Sequence, residues 1–131
     1  MEPGIAERHE AAEKRQTLYA EIKDVFGLPF VPRLFAAMGD DPTFLEVAWN
    51  QVKVVMAPGE LTRREKELVA VAVSATNNCR YCIAAHTAAL RGLGLGDKGI
   101  LELMEVVALF NGLNAFADGL QLEPDIGVRS A

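Results

Sequence analysis

The chain has 131 residues, a length that suits one domain with a hydrophobic core of its own. Half of its residues are hydrophobic and 24% are charged, which is typical of a globular domain in water. The formal net charge of −5, from 13 Lys and Arg against 18 Asp and Glu, argues against nucleic acid or an anionic membrane as a binding partner.

The N-terminal dozen residues carry several charges and contain no apolar stretch that could serve as a signal peptide. No uninterrupted apolar run approaches the ~18 residues of a transmembrane helix. We therefore expect a cytoplasmic protein with no membrane partner. In a reducing compartment, two cysteines at Cys-x-x-Cys spacing are typical of a catalytic or metal-binding pair rather than of a structural disulfide.

Apolar residues recur with helical spacing between clear turn signals, and the pattern favours no strand. The predicted helices span residues 10–26, 31–38, 41–56, 62–75, 79–91 and 97–118. Asp41-Pro42 and the capping box from Thr62 to Glu65 are the clearest helix starts. Six helices with short connections predict an all-α fold, a single-domain helical bundle over residues 1–131. We expect the tail after Gly119 to be loose or packed on a partner.

The fourth predicted helix is apolar on nearly every side from Leu68 to Ala75, so we expect it to be central and buried. Its β-branched residues would also suit a strand, but the capping box favours a helix. The apolar surplus of the chain as a whole predicts that more than one copy is needed to bury it.

The segment from Cys79 to His86 contains both cysteines and one of the two histidines. With Asn78 as the expected N-cap, Cys79 begins the fifth helix and Cys82 closes its first turn. Free N–H groups and the helix dipole lower the pKa of a thiol there, and only the thiolate attacks. His86 follows Cys82 by four residues, so its imidazole can lie beside that sulfur and take its proton.

Glu67 is the last charge before the long apolar run of the fourth helix. If the fourth and fifth helices form an antiparallel hairpin, Glu67 lies level with His86 and can orient it or pass it a proton. The alternative is a solvated glutamate among several at the start of the helix.

Two interpretations of the cluster remain open at this point. Cys79, Cys82, His86 and Glu67 could form a redox dithiol with an acid–base pair, or they could bind Zn²⁺ with tetrahedral ligation. The sequence favours the dithiol, because all four metal ligands on two adjacent helices is a less usual arrangement.

These residues resemble the AhpD-like alkylhydroperoxidases of the carboxymuconolactone decarboxylase superfamily. The family motif is Glu, eleven residues, Cys-x-x-Cys, three residues and His, and Glu67, Cys79, Cys82 and His86 match it throughout. The resemblance extends over about residues 28–120.

The resemblance implies that Cys82 is the peroxidatic cysteine, which attacks a hydroperoxide and becomes a sulfenic acid. Cys79 would then close a disulfide with it, and His86 and Glu67 would form the proton relay. A lipoyl or thioredoxin-like protein would reduce the disulfide, and no cofactor or metal is implied. Short members of the family assemble as trimers or hexamers.

The chain departs from some family members at Tyr81, where they carry a second histidine. Helix geometry alone favours Cys79 as the attacking sulfur, so the sequence leaves the attacking thiol open. The other activity of the superfamily, lactone decarboxylation, does not depend on a cysteine pair, and the intact pair argues against it.

Overall fold

A computed structural model describes residues 1–128, which form six α-helices and no strand. The helices are α1 (Ile5–Phe26), α2 (Arg33–Ala36), α3 (Pro42–Met56), α4 (Arg63–Thr76), α5 (Arg80–Gly92) and α6 (Asp97–Gly119). The all-α prediction is confirmed. The helices divide into two compact units, Met1–Ala57 and a second that begins at Pro58, and the single-domain assignment over 1–131 stays a prediction.

The first unit is built on the packing of α1 against α3. Its buried side chains come from all three of its helices, and they are Leu18, Ile22, Phe35, Leu45 and Trp49. Because Phe35 and Trp49 meet edge to face with their ring centroids 5.4 Å apart, the short helix α2 is anchored to α3.

The second unit is organised around α4, which packs most extensively against α5 and also contacts α6. Val71 of α4 and Leu90 of α5 are fully buried in this unit. The chain reverses direction between α4 and α5 at Asn78, whose φ of 58° lies in the left-handed region that Asn tolerates better than most residues. This turn places the start of α5 beside the end of α4.

The predicted start and end of several helices need correction. α1 begins at Ile5, five residues before the predicted start, because Gly4 and Glu7 form a cap that the apolar pattern does not reveal. α2 is shorter than predicted, with Pro32 as its N-cap. The tail prediction extends to residues 129–131, which lie outside the described residues.

The prediction that α4 is buried on nearly every side is wrong for the single chain. Only Glu67, Val71 and Ser74 of α4 are buried, whereas Val69 and Val73 are more than half exposed. A three-helix unit covers one side of its central helix and leaves the apolar residues of the other side in contact with solvent.

α6 has no buried residue in the single chain. Among the described residues it is the one helix long and apolar enough to cross a membrane by length and composition. The sequence expectation of no such helix was based on uninterrupted apolar runs, and Glu102 and Glu105 interrupt the apolar run of α6. Core helices of water-soluble proteins satisfy the same criterion, so this composition does not by itself identify what covers α6.

Candidate functional site

Cys79, and not Asn78, is the N-cap of α5. The Cys79 sulfur accepts a hydrogen bond from the backbone N–H of Cys82 at 3.3 Å, as a capping side chain does. The Cys79 N–H donates to the backbone carbonyl of Ser74 at 2.9 Å, which fixes the entry into the helix. Asn78 takes the left-handed turn position instead, so the cap shifts by one residue from its predicted place.

Both cysteines are free thiols, and their environments differ. A hydrogen bond from the Cys82 thiol, followed in importance by the backbone N–H groups of Cys82 and Tyr81, lowers the pKa of Cys79. The same thiol–thiol hydrogen bond, together with partial burial and the nearby Cys79 charge, raises the pKa of Cys82. The pair therefore holds its first negative charge on Cys79 and its proton on Cys82.

Ser74 is a residue that sequence reasoning missed. Its side chain is buried at the end of α4, and its hydroxyl donates to the Ala70 carbonyl at 2.6 Å. Its hydroxyl also lowers the pKa of Cys82, which partly offsets the influences that raise it. A lone hydroxyl within the apolar run of α4 was the available signal.

The structure brings Glu67 and His86 together, as the antiparallel hairpin predicted. Glu67 Oε2 and His86 Nδ1 are 2.6 Å apart, and the Glu67 side chain is 1% exposed. Because an ionised carboxylate can only accept hydrogen bonds, Nδ1 carries the proton of the neutral imidazole. Nε2 of His86 is then left unprotonated and able to act as a base.

Arg63 is the second residue that sequence reasoning missed. Its Nε and Nη2 atoms lie 2.9 and 2.8 Å from Oε1 of Glu67, the carboxylate oxygen that His86 does not use. Arg63 precedes Glu67 by four residues on α4, so helical spacing alone could have revealed this pair.

The site consists of two pairs, Cys79 with Cys82 and Glu67 with His86. Within residues 1–128, no hydrogen bond joins the imidazole to either sulfur, so the expected proton transfer from Cys82 to His86 stays a prediction. In the same part of the chain, no group of three or more His, Cys, Asp or Glu side chains is arranged to hold a metal ion. The zinc alternative therefore lacks the ligand geometry that it needs.

The chemistry available at the start of α5 is that of a redox dithiol with an acid–base pair on the neighbouring turns of α4 and α5. The chain matches the carboxymuconolactone decarboxylase family over residues 42–122, and it belongs to that family as an AhpD-like member. The matched range includes Glu67, Cys79, Cys82 and His86.

Curated relatives with several different names are similar to the chain. An alkyl hydroperoxide reductase of Mycobacterium tuberculosis is 34% identical over 80 residues, which are 61% of this chain and 23% of that protein. An uncharacterized protein of the cox locus of Paracoccus denitrificans is 34% identical over 66% of this chain and 82% of its own length. An (R)-2-haloacid dehalogenase of Pseudomonas putida is 27% identical over 82% of this chain and 36% of its own length.

The fold also matches a crystal structure of an alkylhydroperoxidase AhpD core from Rhodospirillum rubrum. The TM-score is 0.82 at 30% sequence identity, and the match covers 93% of this chain and 90% of the other. The similarity to that core thus extends over nearly the whole length of both chains.

Proposed function

We propose that the protein is a thiol-dependent peroxidase, which reduces organic hydroperoxides or hydrogen peroxide by oxidising Cys79 and Cys82 to a disulfide. The observation that carries this proposal is the free dithiol at the start of α5, where the N–H of Cys82 donates to the Cys79 sulfur and the pKa of Cys79 is lowered. The names of the alkyl hydroperoxide reductase relative and of the AhpD core support it. The cytoplasmic location expected from the sequence is part of the proposal.

The reaction begins at Cys82. Its proton passes to Nε2 of His86, the ring nitrogen that the contact with Glu67 leaves unprotonated. The Cys82 thiolate attacks one peroxide oxygen, so that the S–O bond forms and the O–O bond breaks. The leaving alkoxide takes the proton from His86 and departs as an alcohol, and Cys82 is left as a sulfenic acid.

The lowered pKa of Cys79 suits the second step. The Cys79 thiolate attacks the Cys82 sulfur, the S–S bond forms, and hydroxide leaves and is protonated to water. When an external dithiol attacks the Cys82 sulfur of this disulfide, Cys79 leaves as the better-stabilised thiolate. The two electrons come from a reductant of the lipoyl or thioredoxin-like class.

The stabilised thiolate on Cys79 also favours the other assignment, in which Cys79 attacks the peroxide. Single-cysteine variants separate the two. If Cys82 attacks, Cys79→Ser still forms a sulfenic acid that a dimedone probe traps, whereas Cys82→Ser does not. Trapping on Cys79 in Cys82→Ser at the parent rate would transfer the attack to Cys79.

The function itself is tested by mixing the reduced protein with cumene hydroperoxide in a stopped-flow instrument and counting thiols. We expect the loss of two thiols per chain, slowed by His86→Ala, with His9→Ala as the matched control because His9 is exposed beside Glu13 on α1. Unreactive thiols in the parent protein would refute the peroxidase. Lactone decarboxylation that survives replacement of both cysteines would favour the decarboxylase alternative.

We also propose that the protein is a homo-oligomer, a trimer or hexamer, in which α6 packs against another copy. Leu109, Leu113 and Phe116 recur at helical spacing along α6, Leu120 follows as its C-cap, and each is about half exposed or more. An apolar stripe of this length is unusual on the surface of a monomer. Val69 and Val73 of α4, in the same unit, are also more than half exposed and add to its apolar surface.

Light scattering after size-exclusion chromatography tests this assembly. We expect the parent to elute as an oligomer and Phe116→Glu to dissociate it, with the exposed polar Gln121→Glu as the control. A monomeric parent that sediments with phosphatidylcholine vesicles would show that a membrane, and not a second copy, covers α6.

A further inference from the structure

We infer that Arg63 is a positioning residue, which keeps the Glu67–His86 pair free of an extra proton so that His86 can act as a base. The expected effect on the rate of the reaction with peroxide rests on the proposed peroxidase. The expected effect on the protonation of His86 does not. Nothing in the family motif assigns Arg63, because the motif begins at Glu67.

The geometry gives each carboxylate oxygen of Glu67 a separate partner. Oε1 faces Nε and Nη2 of Arg63, and Oε2 faces Nδ1 of His86. The Arg63 side chain is 44% exposed, while Glu67 is 1% exposed. The guanidinium thus lies at the surface and reaches inward to the carboxylate, and it fixes the rotation of the carboxylate that orients the imidazole.

The contact with Arg63 balances the negative charge of Glu67. Arg63 is always protonated, and a charge buried without a partner is costly, so the positive guanidinium balances the negative carboxylate and His86 can remain neutral. Without the guanidinium, the same balance requires one more proton on the pair, either on His86 or on Glu67. In either state the imidazole is a poorer proton acceptor at neutral pH.

The charged side chains of α5 and α6 do not take over this role. On α5, the side chains of Arg80 and Arg91 are exposed, and Arg91 is paired with Asp97 at the start of α6. The two thiols form their own pair at the start of α5. Among the described residues, α6 contributes no charged side chain that pairs with Glu67, and the recorded α4–α6 side-chain hydrogen bond joins Thr76 to Asn111.

The test is an NMR titration of the two imidazoles in the parent and in Arg63→Gln. The chain has only two histidines, and the exposed His9 on α1 is an internal reference. We expect the titration midpoint of His86 to move upward by about 1 pH unit in Arg63→Gln, while that of His9 stays unchanged. Arg63→Lys, which keeps the positive charge, should return the His86 midpoint most of the way to that of the parent.

Arg64→Gln is the matched control, because Arg64 is an exposed neighbour in the same helical turn. It should leave both histidines unchanged. A His86 midpoint that is the same in Arg63→Gln and in the parent, in a protein whose circular dichroism shows it to be folded, would overturn the inference. An equal shift in Arg64→Gln would also overturn it, because the effect would then be a general property of surface charge.

The kinetic part of the test uses peroxide-dependent thiol loss as a function of pH. We expect the acidic limb of the Arg63→Gln profile to move upward in parallel with the His86 midpoint. A shifted NMR midpoint in a protein whose thiols do not react with peroxide would refute the peroxidase and leave the role of Arg63 standing. Unchanged NMR midpoints with normal peroxide reactivity would refute the role of Arg63 alone.

Discussion

Replacing Glu67 by Gln would change one acceptor oxygen of a buried carboxylate into a donor while keeping the size of the side chain. In the parent, Oε2 accepts from Nδ1 of His86 at 2.6 Å, and Oε1 accepts from Arg63. Gln at this position must keep its carbonyl oxygen toward the two Arg63 donors. Its amide NH₂ then faces Nδ1 and donates to it, which places the imidazole proton on Nε2.

The consequence is a histidine with the wrong tautomer for the proposed step, because Nε2 can no longer accept the proton of Cys82. General-base catalysis contributes about 10²–10⁴-fold to a rate, so we expect peroxide-dependent thiol loss in Glu67→Gln to slow by that factor. The cost in stability is much smaller. Every polar atom keeps a partner, and both Arg63 and His86 are partly exposed to water, so the free energy of unfolding should fall by only about 1 kcal/mol.

The assay is stopped-flow thiol titration of Glu67→Gln and of the parent, accompanied by urea unfolding and by ¹⁵N NMR of the imidazoles. Glu65→Gln is the control, because Glu65 is an exposed glutamate on the same helix whose capping role Gln can also fill. A folded Glu67→Gln protein that reacts at the parent rate would refute the proton relay. A slowed reaction with Nδ1 of His86 still protonated would refute the tautomer argument but keep a role for the charge.

Three further predictions follow from the same unit. Because the pKa of Cys79 is lowered and that of Cys82 is raised, Cys79 keeps its thiolate to lower pH. Iodoacetamide should therefore modify Cys79 first, and this preference should grow as the pH falls below the ordinary thiol range. Peptide mass spectrometry measures the modification of each cysteine. Removing the Ser74 hydroxyl by Ser74→Ala should raise the pKa of Cys82 further and slow its alkylation at neutral pH, and an unchanged rate would contradict the contact. Thr62→Ala removes the hydroxyl that accepts from the Glu65 N–H at 3.1 Å, and it should lower the free energy of unfolding, measured in urea, by about 1 kcal/mol. A negligible change would show that this end of α4 is already frayed.

The two histidines illustrate how much of the site the sequence could reveal. His9 and His86 are the same residue type, but only His86 stands four residues after a thiol and level with a glutamate across a predicted turn. Helical spacing was enough to predict that Glu67 and His86 meet, because two antiparallel helices joined by a short turn place equidistant residues side by side. It was not enough to show that Glu67 is buried and held from the other side by Arg63.

The cysteine pair shows what the sequence could not predict about the site. The spacing Cys79-x-x-Cys82 indicated a dithiol at a helix start, but the N-cap was assigned one residue too early. Asn is the more frequent capping residue, but Asn78 takes the left-handed position that ends α4, where the Cys79 N–H donates to the Ser74 carbonyl. With Cys79 as the N-cap, the Cys82 N–H points at the Cys79 sulfur and adds to the hydrogen bond from the Cys82 thiol, which is the main cause that lowers the pKa of Cys79.

The sequence by itself determined the all-α class, the helix order and the four residues of the motif, because periodicity, caps and spacing are local properties of a chain. The tertiary structure alone decided which residues are buried, since burial depends on what packs opposite each helix face. The apolar run of α4 predicts burial on nearly every side, yet Glu67 is buried while Val73 is more than half exposed, and α6 has no buried residue in the single chain. The tertiary structure also decided which side chain contacts each carboxylate oxygen of Glu67, and how the environments of the two thiols differ.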